Sequence, residues 1–261
     1  MPKFLKVNGR VHHVRFRPGT ASRAVVFANS LGTDFRIWDD VIDRLPEDVP
    51  ILTYDKSGHG LSEAGTTTIE GFAADLAAIM EAQALTRALV CGVSVGGMIA
   101  QSLAAQRPDL VAGLVLCNTG YRIGSHDFWS DRIATVRDNG LDAMADGILE
   151  RWFGAAFHAA HPDRLAGYRA MLSRTPLSGY LDVCAAIRDA DLLERTGQLT
   201  CPTHCVAGSD DLSTPPDIIN ALASAIDGAG YTCLEGVGHL PCIEAPDQLA
   251  SILRDQLEAL P

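Results

Sequence analysis

Short apolar runs alternate with longer amphipathic stretches along most of the chain. Residues 24–28, 51–54, 88–91, 113–117 and 204–207 are nearly unbroken apolar runs, as expected of parallel strands whose two faces are both covered. Between them the period changes to that of a helix. Ile69, Phe72, Leu76, Ile79 and Met80 share one face, with Thr67 and Glu70 spaced as a capping box. A second helix is expected over 98–107, stopped by Pro108, and a third opens at Pro246 and turns Leu249, Ile252, Leu253 and Leu257 inward. Residues 7–16 alternate weakly around an Asn8-Gly9 turn, an antiparallel strand or hairpin. Strands separated by helices predict an α/β fold, a mostly parallel central sheet flanked by helices through right-handed crossovers.

The alternation stops over 121–196. That stretch has no convincing strand-like run. It offers four helix-length segments, 128–138, 141–153, 163–173 and 180–195, and holds Trp129, Trp152, Phe153, Phe157, Tyr168 and Tyr180. We read it as an all-helical cap inserted into a core formed by 1–120 and 197–261. A cap over the end of a sheet excludes water and shapes a pocket, which aromatic side chains line well. Packing without any part in chemistry is the other reading of the same residues.

Composition narrows the function. A chain of 261 residues with 47% hydrophobic positions can build one large core. Its 21 Lys and Arg against 32 Asp and Glu leave a net charge of −11, which repels phosphate backbones and anionic lipid and argues against nucleic-acid or membrane partners. No apolar run nears the roughly 20 residues of a membrane span, and the first residues lack the apolar stretch of a secretory signal. The seven cysteines, scattered and odd in number, suit buried thiols in a reducing cytoplasm. Cys201, His204 and Cys205 lie close together, but on a strand His204 would face away from the two thiols, so no metal is expected there.

The chemistry concentrates at Gly92, Ser94 and Gly96, a Gly-x-Ser-x-Gly string between an apolar run and the helix that ends at Pro108. Strand, tight turn and helix are the context in which such a serine is a nucleophile. Side chains at Gly92 and Gly96 would collide with the neighbouring strand and helix. The N–H of Val95, at the helix N-terminus, can stabilise developing negative charge. A hydroxyl needs a base. Of eight histidines, His239 follows the last strand in a glycine-bracketed loop and can reach the strands' C-terminal ends. His59, between two glycines after an earlier strand, reads as a supporting residue. The orienting acid should fall between serine and histidine. Asp210 and Asp211 both do; Asp211 fits the far side of the turn, and Asp210 can cap it. A second oxyanion donor is expected from the loop Asn29-Ser30-Leu31, as the N–H of Leu31, with Ser30 a structural residue or substrate contact.

These strings together resemble a known family. The Asn29-Ser-Leu-Gly-Thr-Asp34 loop with Trp38, Tyr54-Asp-x-x-Gly-His-Gly60, the serine motif through Met98, Cys117-Asn-Thr119, Glu150-Arg-Trp-Phe153 and Cys184-Ala-Ala-Ile-Arg-Asp-Ala-Asp191 are similar to the 3-oxoadipate enol-lactonases of the α/β-hydrolase superfamily. The resemblance runs nearly end to end and implies Ser94, Asp211 and His239 as triad, Leu31 and Val95 as oxyanion donors, and no cofactor. It implies a cytoplasmic enzyme of bacterial aromatic-compound breakdown, acting on a small anionic lactone. Where members often carry Met after the serine, this chain has Val95, which leaves the backbone donor in place. Ser30, Trp129 and Trp152 are candidate pocket residues, and Arg132, Arg151 and Arg188 are candidates to pair with the substrate carboxylate. A carboxylesterase or carbon–carbon bond hydrolase would share the triad, and a hydrolase-fold receptor could retain it.

Overall fold

The computed structural model describes residues 2–260. Eight strands form one sheet: β1 (Pro2–Val7), β2 (Arg10–Arg17), β3 (Val25–Ala28), β4 (Ile51–Tyr54), β5 (Ala88–Val93), β6 (Val111–Cys117), β7 (Thr203–Gly208) and β8 (Gly230–Leu234). Their order is β1-β2-β4-β3-β5-β6-β7-β8. β1 and β2 form a hairpin that joins β4 antiparallel, and the remaining pairings are parallel. The hairpin turns at Asn8 and Gly9, both at positive φ (47° and 80°), as a two-residue turn between twisted strands requires.

Among the described residues nine α-helices fill the connections and two follow β8: α1 (Asp39–Ile42), α2 (Ile69–Ala82), α3 (Val95–Gln106), α4 (His126–Trp152), α5 (Ala155–Ala160), α6 (Pro162–Ser173), α7 (Leu177–Asp189), α8 (Leu193–Thr196), α9 (Pro216–Ala225), α10 (Pro241–Glu244) and α11 (Pro246–Ala259). The crossover from β3 to β4 steps one way along the sheet, while those to β5, β6, β7 and β8 step the other. Right-handed connections therefore put α1 on one face and α2, α3 and α9 on the opposite face. α11 packs with α1. The central strands are thus covered twice, and β3 to β6 are buried throughout. The direction reverses at β3, and in open α/β sheets ligands bind in the crevice at the carboxyl ends beside such a reversal. The loops after β3 and β5 border that crevice.

Between β6 and β7 the chain is helical, without a strand. α4 breaks at Gly140 (φ 77°, ψ 166°), which makes it the two helices that the sequence separates there. The expected helix over 180–195 is instead α7 and α8, with Ala190 extended between them. The cap of α2 also shifts: Thr68, not Thr67, accepts the N–H of Gly71, and Glu70 pairs with Arg195. α3 starts at Val95, three residues before the expected Met98. All seven cysteines are free, five of them buried, with Cys201 half-buried and Cys233 exposed. Among the described residues no helix is long and apolar enough to cross a membrane.

Candidate active site

β5 ends in the serine turn. Ser94 sits at φ 60°, ψ −125°, a region costly for any residue with a Cβ. Close packing holds it there. A Cβ on Gly92 would stand 2.3 Å from the carbonyl oxygen of Gly96, and one on Gly96 would stand 2.0 Å from that of Ala28, at the end of β3. The Ser94 N–H donates to Cys117 O at 3.0 Å, and Ser94 O accepts from Thr119 Oγ1 at 2.6 Å. The corner is fixed from β6 as well as from its own helix. Val95 is the first residue of α3, so its N–H has no acceptor within the helix.

His239 and Asp211 arrive from the other end of the sheet. His239 Nδ1 lies 2.8 Å from Asp211 Oδ2, and both residues are buried. Asp211 Oδ2 also accepts from Thr214 Oγ1 at 2.7 Å, while Oδ1 accepts the N–H groups of Ser213 at 2.7 Å and Thr214 at 3.1 Å. With Nδ1–H directed at the carboxylate, Nε2 is left as the acceptor nitrogen of the imidazole. Asp210 points elsewhere, accepting from Ser209 Oγ and lining a separate cleft beside Gly154. Asn118 braces the two loops: its Oδ1 accepts from Gly208 N and its Nδ2 donates to Gly238 O, each at 2.8 Å.

One cavity of about 330 Å³ is lined by both Ser94 and His239. Ser94, His239, Ser30 and Leu31 line its floor, and Phe128, Trp129, Arg132, Ile148, Arg151, Trp152 and Tyr180 come from the helical segment. Trp129 spends its indole N–H on Ile123 O at 2.6 Å. Arg132 donates to the hydroxyl of Tyr180 at 3.3 Å and lies over the ring of Phe128. Arg151 donates to Leu212 O, and burial, then the neighbouring Arg132, push its basicity down. No carboxylate of the described residues forms an ion pair with either arginine, whereas Arg188 forks onto Asp189 outside the cavity. The cavity residues therefore include Ser30, Trp129, Arg132 and Trp152 but exclude Arg188. Val183, Cys184, Ala186 and Ile187 occupy the inward face of α7, and Arg188 falls off it.

His59 is a support. Its Nε2 accepts from Gly32 N at 3.0 Å, in the loop after β3, and burial followed by the charge of Lys56 holds the imidazole neutral. The sequence pointed to His239 and Asp211 but missed Thr214, although the Asx-type spacing Asp211-Leu-Ser-Thr214 was visible. Lys56 and Glu244 act on backbone groups, for which a sequence carries no signal, whereas Asn118 stands in the Cys117-Asn-Thr119 string with no role assigned to it there.

Residues 25–252 match the model of the alpha/beta hydrolase family. A crystal structure of the enol-lactonase from Burkholderia xenovorans superposes with a TM-score of 0.94 at 35% identity, covering 98% of this chain and 100% of that one. Two curated relatives from Acinetobacter baylyi are 3-oxoadipate enol-lactonases 1 and 2. The first is 29% identical and covers 94% of this chain and 92% of its own. The second is 30% identical and covers 87% and 86%.

Proposed function

The chain belongs to the α/β hydrolase family, and from that premise we propose that it is a serine hydrolase opening 3-oxoadipate enol-lactone to 3-oxoadipate through an acyl-enzyme. The observation that carries this reading is the convergence on one cavity of the Ser94 corner, His239 with Asp211 bonded behind it, the Leu31 loop and two arginines that pair with no carboxylate of the described residues. Similarity to the enol-lactonases supports the choice of substrate.

Ser94 Oγ attacks the ring carbonyl while His239 Nε2 takes its proton. The oxyanion forms against the N–H groups of Leu31 and Val95. The ring C–O bond then breaks, the enolate oxygen leaves, and the proton on His239 is available to it. The enol tautomerises to the ketone. Water, deprotonated by His239, attacks the acyl carbon and expels Ser94 to give the second carboxylate. An enolate leaves more readily than an alkoxide, so positioning the small anion is the larger task. Arg132 and Arg151 supply positive charge for the substrate's carboxymethyl group, and 121–196 act as the cap that excludes water. No cofactor enters these steps. The reaction belongs to the bacterial breakdown of aromatic compounds by the β-ketoadipate route, in the cytoplasm.

Assaying the purified protein on the enol-lactone, p-nitrophenyl acetate and a ring-cleavage dienoate side by side tests the assignment. The lactone is expected to give the highest kcat/KM. A higher value for the ester would make the protein a carboxylesterase, and for the dienoate a carbon–carbon bond hydrolase.

A further inference from the structure

In a trans peptide the C=O of one residue and the N–H of the next lie in one plane and point in opposite directions. Whatever holds the carbonyl of Ser30 therefore aims the N–H of Leu31. Three donors converge on Ser30 O: Lys56 Nζ, Thr33 Oγ1 at 2.9 Å and Thr33 N at 3.4 Å. Lys56 also reaches Thr33 O at 3.5 Å. Its side chain is fully buried behind the loop, yet it forms no ion pair with a carboxylate of the described residues. Asp55 is engaged by His13 and by the N–H groups of Phe35 and Leu61, and Asp34 by Arg36. A buried ammonium without an ion-pair partner is expensive. Here its hydrogen bonds go to the peptide that carries the expected oxyanion donor.

We propose that Lys56 is a positioning residue for the oxyanion hole, its charge aiming and polarising the Ser30–Leu31 peptide so that the Leu31 N–H faces the carbonyl attacked by Ser94. This rests on the serine-hydrolase reading of the cavity. Donation to a carbonyl strengthens the N–H of the same amide, and a charged donor is roughly twice as strong as a neutral one. His59, neutral and bonded to Gly32 N, holds the next peptide from the same side. Burial pushes Lys56 down to about 7 against the opposing pull of Asp55 and Asp34. Loss of its proton leaves an amine that still donates, without the charge.

The test uses kcat and KM for p-nitrophenyl acetate from pH 6 to 9.5, in wild type, Lys56→Arg and Lys56→Met, with Ser94→Ala as the control for the site. Removing an oxyanion donor outright costs about 10²–10³ in kcat, so loss of its aim in Lys56→Met is expected to cost about 10–100-fold in kcat, with KM within about 2-fold. Wild-type kcat should fall on the alkaline side. Lys56→Arg, whose charge persists, should lose that limb while restoring kcat above the Met variant. A folded Lys56→Met with wild-type kcat, or an alkaline limb unchanged in Lys56→Arg, overturns the proposal. Should Lys56→Met not fold, as judged by near-UV circular dichroism, the wild-type and Arg profiles decide it by the same criteria. Full activity in Ser94→Ala would instead overturn the reading of the site itself.

Discussion

The backbone N–H of His239 donates to the carbonyl of Trp152 at 2.8 Å, so the loop that carries the candidate base is bonded directly to the end of α4. Glu244 doubles the link. Its Oε1 accepts from Gly238 N and its Oε2 from Gly154 N, each at 3.0 Å. The end of α4 and the loop that carries the imidazole are thereby tied together.

Glu244→Gln should loosen that joint, because an amide offers one acceptor where the carboxylate offers two. A buried N–H left without a partner costs about 1–3 kcal/mol, and each kcal/mol lowers Tm by roughly 2–4 °C in a chain of this size. Thermal denaturation of both proteins checks it. An unchanged Tm would mean that the two N–H groups find other acceptors.

The same carboxylate predicts a pH dependence. Burial, foremost, and the charges of Asp210 and Asp211 raise Glu244 to about 7, against the two N–H donors. Its folded pKa exceeds the unfolded value of 4.5, so the folded state binds more protons between these pH values. The stability it contributes is complete below about pH 4.5 and is lost as pH rises through 7. Urea unfolding should show wild type losing stability relative to Glu244→Gln over that interval. A pH-independent difference would contradict the assignment.

Ser94 stores strain. Ser94→Ala and Ser94→Gly both delete the hydroxyl, but only glycine occupies φ 60° without a Cβ penalty of roughly 1–2 kcal/mol. Glycine's extra unfolded-state entropy offsets about 0.5–1 kcal/mol of this. The Gly variant is expected to unfold at higher urea than the Ala variant, with both inactive. The reverse order would mean that the corner is relaxed.

The arginines separate by position. Arg132→Ala should raise KM for the lactone by about 10–100-fold, the worth of a hydrogen bond to a charged group. Arg188→Ala, already paired with Asp189 outside the cavity, should stay within about 2-fold. Steady-state kinetics of the two variants distinguishes them, and equal effects would remove Arg132 from carboxylate binding.

The strand pattern was legible because burial on both faces writes itself into composition: β4 is Ile51–Tyr54 in sequence and structure alike. The serine corner was legible because only glycine tolerates the approaches at 92 and 96. What sequence could not supply was phase. The cap of α2 fell on Thr68 because its hydroxyl, not that of Thr67, meets the N–H of Gly71. α3 begins at Val95 although Gly96 and Gly97 are poor helix formers, since packing against Ala28 and Thr119 overrides propensity. Arg188 and Arg132 looked equivalent because each lies on a helix whose rotation is set by neighbours. Lys56 and Glu244 were invisible for another reason: they act on peptide groups that every residue carries.

The rate and site of covalent labelling by a fluorophosphonate, followed by intact and peptide mass spectrometry, probe the activated hydroxyl itself. In wild type one adduct should form, on Ser94, and in His239→Ala its formation should slow by at least about 10³-fold. An adduct on any other residue, or equal labelling rates with and without the imidazole, would contradict the account.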